Sequence, residues 1–213
     1  MEVDALEPDS LRAEARLLLI SGSLRHRSTN AGLLMTMRAL APEGVTATLY
    51  QGMADLPPFN PDDDGPSLPP LAADLRAQIR WADAMMFSTP EYAGALPGSF
   101  KNALDWSVGD DHPGSMHGKP VAYVNVSPRG AALAHASLRS VLGYLGADMV
   151  EAACVDIPLT QDSLGQDGLI HAAPVRAQVA TALSALVSAA LSALVSAARV
   201  APGRSVRATT SRP

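Results

Sequence analysis

Arg16-Leu17-Leu18-Leu19-Ile20-Ser21 is a short, nearly unbroken apolar run that stops at Gly22. A run of that length without alternation suits a strand buried on both faces. From Thr29 the spacing changes. Leu33, Leu34, Met37, Leu40 and Ala41 recur at helical intervals until Pro42 and Gly44 end the pattern. Residues 45–50 return to strand-like composition. Leu71, Leu75, Gln78 and Ile79 mark a second helix, 84–88 a third strand, and 100–106 the opening of a third helix. A polar loop at 110–118 leads to a fourth strand at 121–126 and a fourth helix at 131–145 that Gly146 closes. A fifth strand is expected at 149–155 and a last helix at about 173–199.

The stretch 56–66 interrupts this rhythm with Pro57, Pro58, Pro61 and Pro66, which remove donors and fix the backbone, so it reads as a long surface connection. Strands alternating with helices at this spacing predict an α/β domain with helices on both faces of a parallel sheet. Five such strands point to a flavodoxin-like three-layer sandwich of strand order 2-1-3-4-5. Right-handed crossovers then bring the ends of strands one, three and four to one topological switch point. One domain at 15–200 is expected, preceded by a flexible acidic N-terminus at 1–14 and followed by a disordered tail at 201–213.

The last helix carries a duplication: Leu183-Ser184-Ala185-Leu186-Val187-Ser188-Ala189-Ala190 recurs unchanged at 191–198. A shift of that length turns the apolar stripe by about 80° on a helix, so the second copy is expected at the periphery. Ser184, Ser188, Ser192 and Ser196 interrupt the stretch and make it weakly hydrophobic for a membrane span. The first residues carry acids where a secretory signal carries bases, which predicts a cytoplasmic protein without membrane partners. A net charge of −5 argues against nucleic acid as a partner. Cys154 is the single cysteine, so neither an intrachain disulfide nor a multi-cysteine metal site can form. No metal site is expected; His112 and His117 beside Asp110 and Asp111 read as solvated loop residues.

Two polar stretches follow the first and third strands. Gly22-Ser23-Leu24-Arg25-His26-Arg27-Ser28-Thr29-Asn30 gathers hydroxyls, an Arg and an Asn at the start of a helix. Unpaired N–H groups and the helix dipole there suit a terminal phosphate. Ser23, Ser28 and Thr29 supply hydroxyls, Asn30 an amide and Arg25 a charged planar fork. The loop lacks the Gly-Lys-Ser/Thr of a P-loop and the three glycines of a dinucleotide fingerprint, so a mononucleotide is favoured. The second stretch, Thr89-Pro90-Glu91-Tyr92-Ala93-Gly94, is a Pro-stiffened rim whose N–H groups, from Glu91 through Gly94, suit the polar edge of a flat heterocycle. Flavin mononucleotide (FMN) fits the description of a ligand with a phosphate at one end and such a ring at the other.

Gly22-Ser23-Leu24-Arg25-x-x-Ser28-x-Asn30, taken with Thr89-Pro90-Glu91-Tyr92-x-Gly94-x-x-Pro97-Gly98-x-x-Lys101-Asn102-Ala103-x-Asp105-Trp106, resembles the NADPH-dependent FMN reductase family over about residues 15–157. The resemblance implies bound FMN, NADPH or NADH as electron donor, a small-molecule electron acceptor and a homodimer or homotetramer. It implies that Ser23, Arg25, Ser28 and Asn30 hold the phosphate and that Pro90, Glu91, Tyr92 and Gly94 border the ring. Ala93 stands where the family commonly has Asn. Ser127 and Gly130, in the loop after the fourth strand, are further candidates to approach the flavin, and Arg129 could meet a cofactor phosphate. No side chain is assigned a catalytic role, because the flavin carries the hard chemistry. The expected activity is hydride transfer from NAD(P)H through FMN to a quinone, azo compound, metal oxyanion or free flavin. The alternative is a non-enzymatic electron carrier of flavodoxin type or a flavin sensor. Lys101 and Asp105 read as a surface ion pair, and Trp106 as a packing or subunit-contact residue.

Overall fold

The computed structural model describes residues 14–200, with the side chains of 198–200 outside that description. The acidic lead-in before residue 14 and the tail at 201–213 therefore lie outside the described residues. Five parallel strand positions and five helices follow in alternation: β1 (Ala15–Ser21), α1 (Thr29–Ala39), β2 (Val45–Leu49), α2 (Pro70–Trp81), β3 (Ala84–Ser88), α3 (Gly98–Asp105), β4 (Pro120–Asn125), α4 (Ala132–Tyr144), the short pieces β5 (Asp148–Met149) and β6 (Val155–Asp156), and α5 (Ala173–Val200). The strand order is β2-β1-β3-β4-β5, with β6 also pairing with β4. This is the expected flavodoxin-like sheet.

Alternation along β1 explains the layers. Leu17 and Leu19 face a core shared with Met86, Val124 and the buried sides of α1 and α5. Leu18 and Ile20 face the other, with Phe87, Phe100, Leu75 and Leu138 from β3, α3, α2 and α4. Both sets are almost fully buried, as a doubly covered parallel strand requires.

The fifth strand departs from expectation. Instead of one strand at 149–155, β5 and β6 are separated by a 3-10 turn at Glu151–Ala153. At this turn both Glu151 carboxylate oxygens pair with Arg139 on α4, at 2.6 and 2.7 Å. That pairing lowers the Glu151 pKa from the ordinary carboxylate value. Cys154 is half-buried at this break, and burial pushes its thiol pKa up.

The proline-rich connection at 56–66 lies at the surface, yet it is tied down. Asn102 accepts the Phe59 N–H at 2.7 Å and donates to the Pro57 carbonyl at 2.9 Å, which also takes the Trp106 indole N–H at 2.8 Å. Asp64 pairs with the buried Arg76 at 2.8 Å. Trp106 is a packing residue, fully buried and edge-on to Phe59. Lys101 and Asp105 form the expected ion pair on the surface of α3, at 2.5 Å.

In α5 the first copy of the repeat is embedded: Leu183, Leu186 and Ala190 are buried, whereas Leu194 and Val195 of the second are 37% and 45% exposed. The rotation between copies thus carries the second stripe away from the sheet. Residues Ala173–Ala197 are long and apolar enough, by length and composition, to cross a membrane. Their proximal part instead packs into the core with α1 and the sheet.

Candidate functional site

The loops after β1, β3 and β4 meet at the carboxyl end of the sheet, where the strand order reverses between β1 and β3. They enclose a cavity of about 320 Å³ lined by Ser23, Arg25, Ser28, Thr29, Asn30, Thr89, Pro90, Glu91, Tyr92, Ser127 and Arg129, together with Val126, Pro128 and Ala131. Of the twelve candidate residues, Ala93, Gly94 and Gly130 stand outside this lining, in the turns that carry it.

Gly22 lets two of the loops come together. A Cβ there would sit 2.3 Å from Thr89 Oγ1 and 2.8 Å from Phe100. Its N–H donates to the Ser88 carbonyl at 2.8 Å, which continues the β1–β3 pairing into the loop. Ser88, fully buried, lies 2.9 Å from Asn30 Oδ1 and 2.8 Å from the Val124 carbonyl, so one hydroxyl joins α1 to β3 and β4. Asn30 is accordingly 95% buried and has a structural partner as well as a place in the wall.

The wall after β1 has an anion-binding arrangement. Ser28 is the N-cap of α1, with extended backbone at φ −67° and ψ 130°. Its Oγ accepts the Ala31 N–H at 3.4 Å, and the hydroxyl proton stays available to donate. Ser23 Oγ accepts the Arg25 N–H at 3.3 Å. Gln161, which follows β6, accepts from the Arg25 guanidinium at 3.4 Å and donates to the Arg27 carbonyl at 3.3 Å. Arg27 has φ 54°, a left-handed conformation. Gln161 carries no sequence signal; it reaches the site only through the chain's return after β6.

The rim after β3 is a tight hairpin. Tyr92 and Ala95 exchange N–H···O bonds of 3.0 Å each, with Ala93 at φ 50° and Gly94 at φ 74° between them. Positive φ at both central positions is the type I′ turn. This corrects one expectation, because the Tyr92 N–H is taken by Ala95 and does not face a ligand. The Tyr92 side chain is 50% exposed at the mouth. Glu91 also has a second role. Its Oε2 accepts the N–H groups of Leu133 and Ala134 at 2.9 and 3.0 Å. Helix α4 has no cap of its own, since the N-cap residue is Ala131 in left-handed conformation. Glu91 caps it from the neighbouring loop and meets the positive end of its dipole.

The loop after β4 is held from inside by Asn125, whose Oδ1 accepts the Ser127 N–H at 3.0 Å and whose Nδ2 donates to the Gly130 carbonyl at 2.6 Å. Asn125 and Ser88 are the polar ends of mainly apolar strands. Arg27, Ala93 and Ala131 are the non-glycine residues of positive φ among those described, one in each of the three loops. Strain of this kind collects where a backbone is shaped for a ligand.

The wall suits an anionic mononucleotide. Glu91 is the sole carboxylate in the lining, and it is occupied by α4. What remains includes the N-terminus of α1, the hydroxyls of Ser23, Ser28, Thr29, Thr89 and Ser127, and the guanidinium groups of Arg25 and Arg129. The volume falls within the ordinary range for a small-molecule site.

The chain matches the family model described as NADPH-dependent FMN reductase over residues 15–162. It is 34% identical over 176 residues to the NAD(P)H-dependent FMN reductase PA1204 of Pseudomonas aeruginosa, covering 81% of this chain and 94% of that one. It is 30% identical over 168 residues to a 2-hydroxy-1,4-benzoquinone reductase of a Burkholderia species, covering 78% and 91%. Among solved structures, the flavoenzyme NAD(P)H:(acceptor) oxidoreductase FerB of Paracoccus denitrificans superposes with a TM-score of 0.71 at 30% identity, covering 82% of this chain and 96% of that one.

Proposed function

The chain belongs to the NADPH-dependent FMN reductase family, and from that premise we propose that the three-loop cavity holds FMN and passes reducing equivalents from NAD(P)H to a small acceptor. The observation that carries the reading is the convergence of the α1 N-terminus, the Pro90–Gly94 rim and the 127–130 loop on one cavity of about 320 Å³. Arg25, Ser23, Ser28 and Thr29 would hold the phosphate, with charge-assisted bonds and the α1 dipole acting together. Asn30 fixes that wall through Ser88. Pro90, Glu91, Tyr92, Ala93 and Gly94 would border the ring through the rigid turn, and Ser127 and Gly130 would approach it from the loop after β4. When bound, FMN supplies the ring that takes hydride from the donor and gives it up to the acceptor. The chain's part is to grip, orient and polarise.

The names of its relatives favour a quinone or a flavin among the acceptors considered. A cytoplasmic homodimer or homotetramer completes the reading. Val108 and Tyr144, 44% and 80% exposed, line one shared surface recess, a place for a subunit contact. Anaerobic mixing of the FMN-loaded protein with NADPH tests the activity: the flavin absorbance is expected to bleach within seconds. A flavin that binds and stays oxidised would contradict the enzymatic reading.

A further inference from the structure

Arg25 and Arg129 both line the cavity, on the loops after β1 and β4. β3 runs between those strands, so the two loops are set apart by about two strand spacings, or roughly 10 Å. Arg25 stands beside the α1 N-terminus and shares that wall's hydroxyls. Arg129 has a different setting. Its guanidinium is exposed and is paired with no carboxylate among the described residues. The nearest acid in the lining, Glu91, is already bound to the α4 amides.

The backbone under Arg129 is nevertheless fixed. Its own N–H donates to Ser127 Oγ at 3.2 Å, and Asn125 clamps both ends of the loop. Gly130 at φ 92° and Ala131 at φ 46° then turn the chain into α4. A rigid loop thus presents an unneutralised guanidinium to a cavity whose other cation already has an anion to bind.

Building on the functional reading above, we propose that Arg129 receives a phosphate of the nicotinamide donor and sets the enzyme's affinity for it. The donor brings a pyrophosphate in either form and a 2′-phosphate only as NADPH. Either group offers the multiple acceptor oxygens that a guanidinium fork engages. Arg129 acts as a specificity-determining residue here, since it binds a part of the donor remote from the transferred hydride.

Steady-state kinetics of the FMN-loaded parent, Arg129→Ala and Arg129→Lys, with NADPH and with NADH against a fixed quinone, test this. The Ala variant is expected to raise the KM for NADPH by about tenfold, the scale of an exposed charge-assisted contact, with the Lys variant between it and the parent. The gap should shrink in about 0.5 M salt, where the screening length falls to about 4 Å and an exposed contact is weakened. A rise for NADPH alone assigns the contact to the 2′-phosphate, and a rise for both donors assigns it to the pyrophosphate; either supports the proposal. Unchanged KM values in a parent that NADPH reduces would overturn it, as would a weakened FMN affinity in Arg129→Ala in place of a KM effect. A parent that NADPH cannot reduce would overturn the functional reading itself.

Discussion

Ala93 sits at φ 50° in the first central position of a type I′ turn. The left-handed region crowds a Cβ against the following carbonyl, at a cost of about 1–2 kcal/mol for most residues. Asn tolerates it better, since its short amide bonds locally, and Asn is the residue the family pattern commonly carries here. The departure at Ala93 thus acts first on the turn, not on a ligand contact. Ala93→Asn is expected to stabilise the fold by about 0.5–1 kcal/mol, read as a higher urea midpoint at unchanged slope. A lower midpoint would mean that the turn is not where the substitution acts. Sequence alone exposed the departure but not its geometry, because the hairpin depends on the Tyr92–Ala95 pairing that only the folded rim makes.

Helix α4 shows how elements lend one another their ends. Its own N-cap position holds Ala131, which offers no side-chain acceptor, and the missing cap comes from Glu91 on another loop. The rim after β3 and the helix behind the 127–130 loop are therefore one mechanical unit. Glu91→Ala is expected to cost about 0.5–2 kcal/mol of stability, the range of a lost N-cap, and to weaken FMN binding as the two loops separate. Glu91→Gln, which keeps an acceptor but loses the charge toward the helix dipole, should fall between. Loss of FMN affinity with an unchanged urea midpoint would instead make Glu91 a direct ligand contact. This tie was illegible in sequence because the partners are separated by 42 and 43 positions and obey no local spacing. The same holds for Asn102 and Trp106, whose motif was visible while their target, the Pro57 carbonyl, was not.

At the scale of the molecule, periodicity carried most of the information. The apolar runs of β1, β3 and β4 and the helical stripes of α1 and α4 are strong, local patterns, and their alternation leaves few topologies. The fifth strand is shorter than its composition suggests, broken by the turn at Glu151–Ala153 that no local pattern marks. The convergence of two distant polar stretches followed from the strand order, so the site was legible once the fold was. Its supports, Ser88, Asn125 and Gln161, were not, since Ser88 and Gln161 act through contacts across elements and Asn125 through the folded shape of the loop after β4.

The central claim is that the wall after β1 grips the phosphate of FMN within the cavity that the other two loops complete. Fluorescence titration of FMN into the apoprotein of the parent and of Arg25→Ala tests it directly. The account predicts saturable binding to the parent and an affinity lower by about 1.5–3 kcal/mol in the variant, the loss of one charge-assisted contact. Equal affinities for parent and variant, or a parent that takes up no FMN, would contradict it.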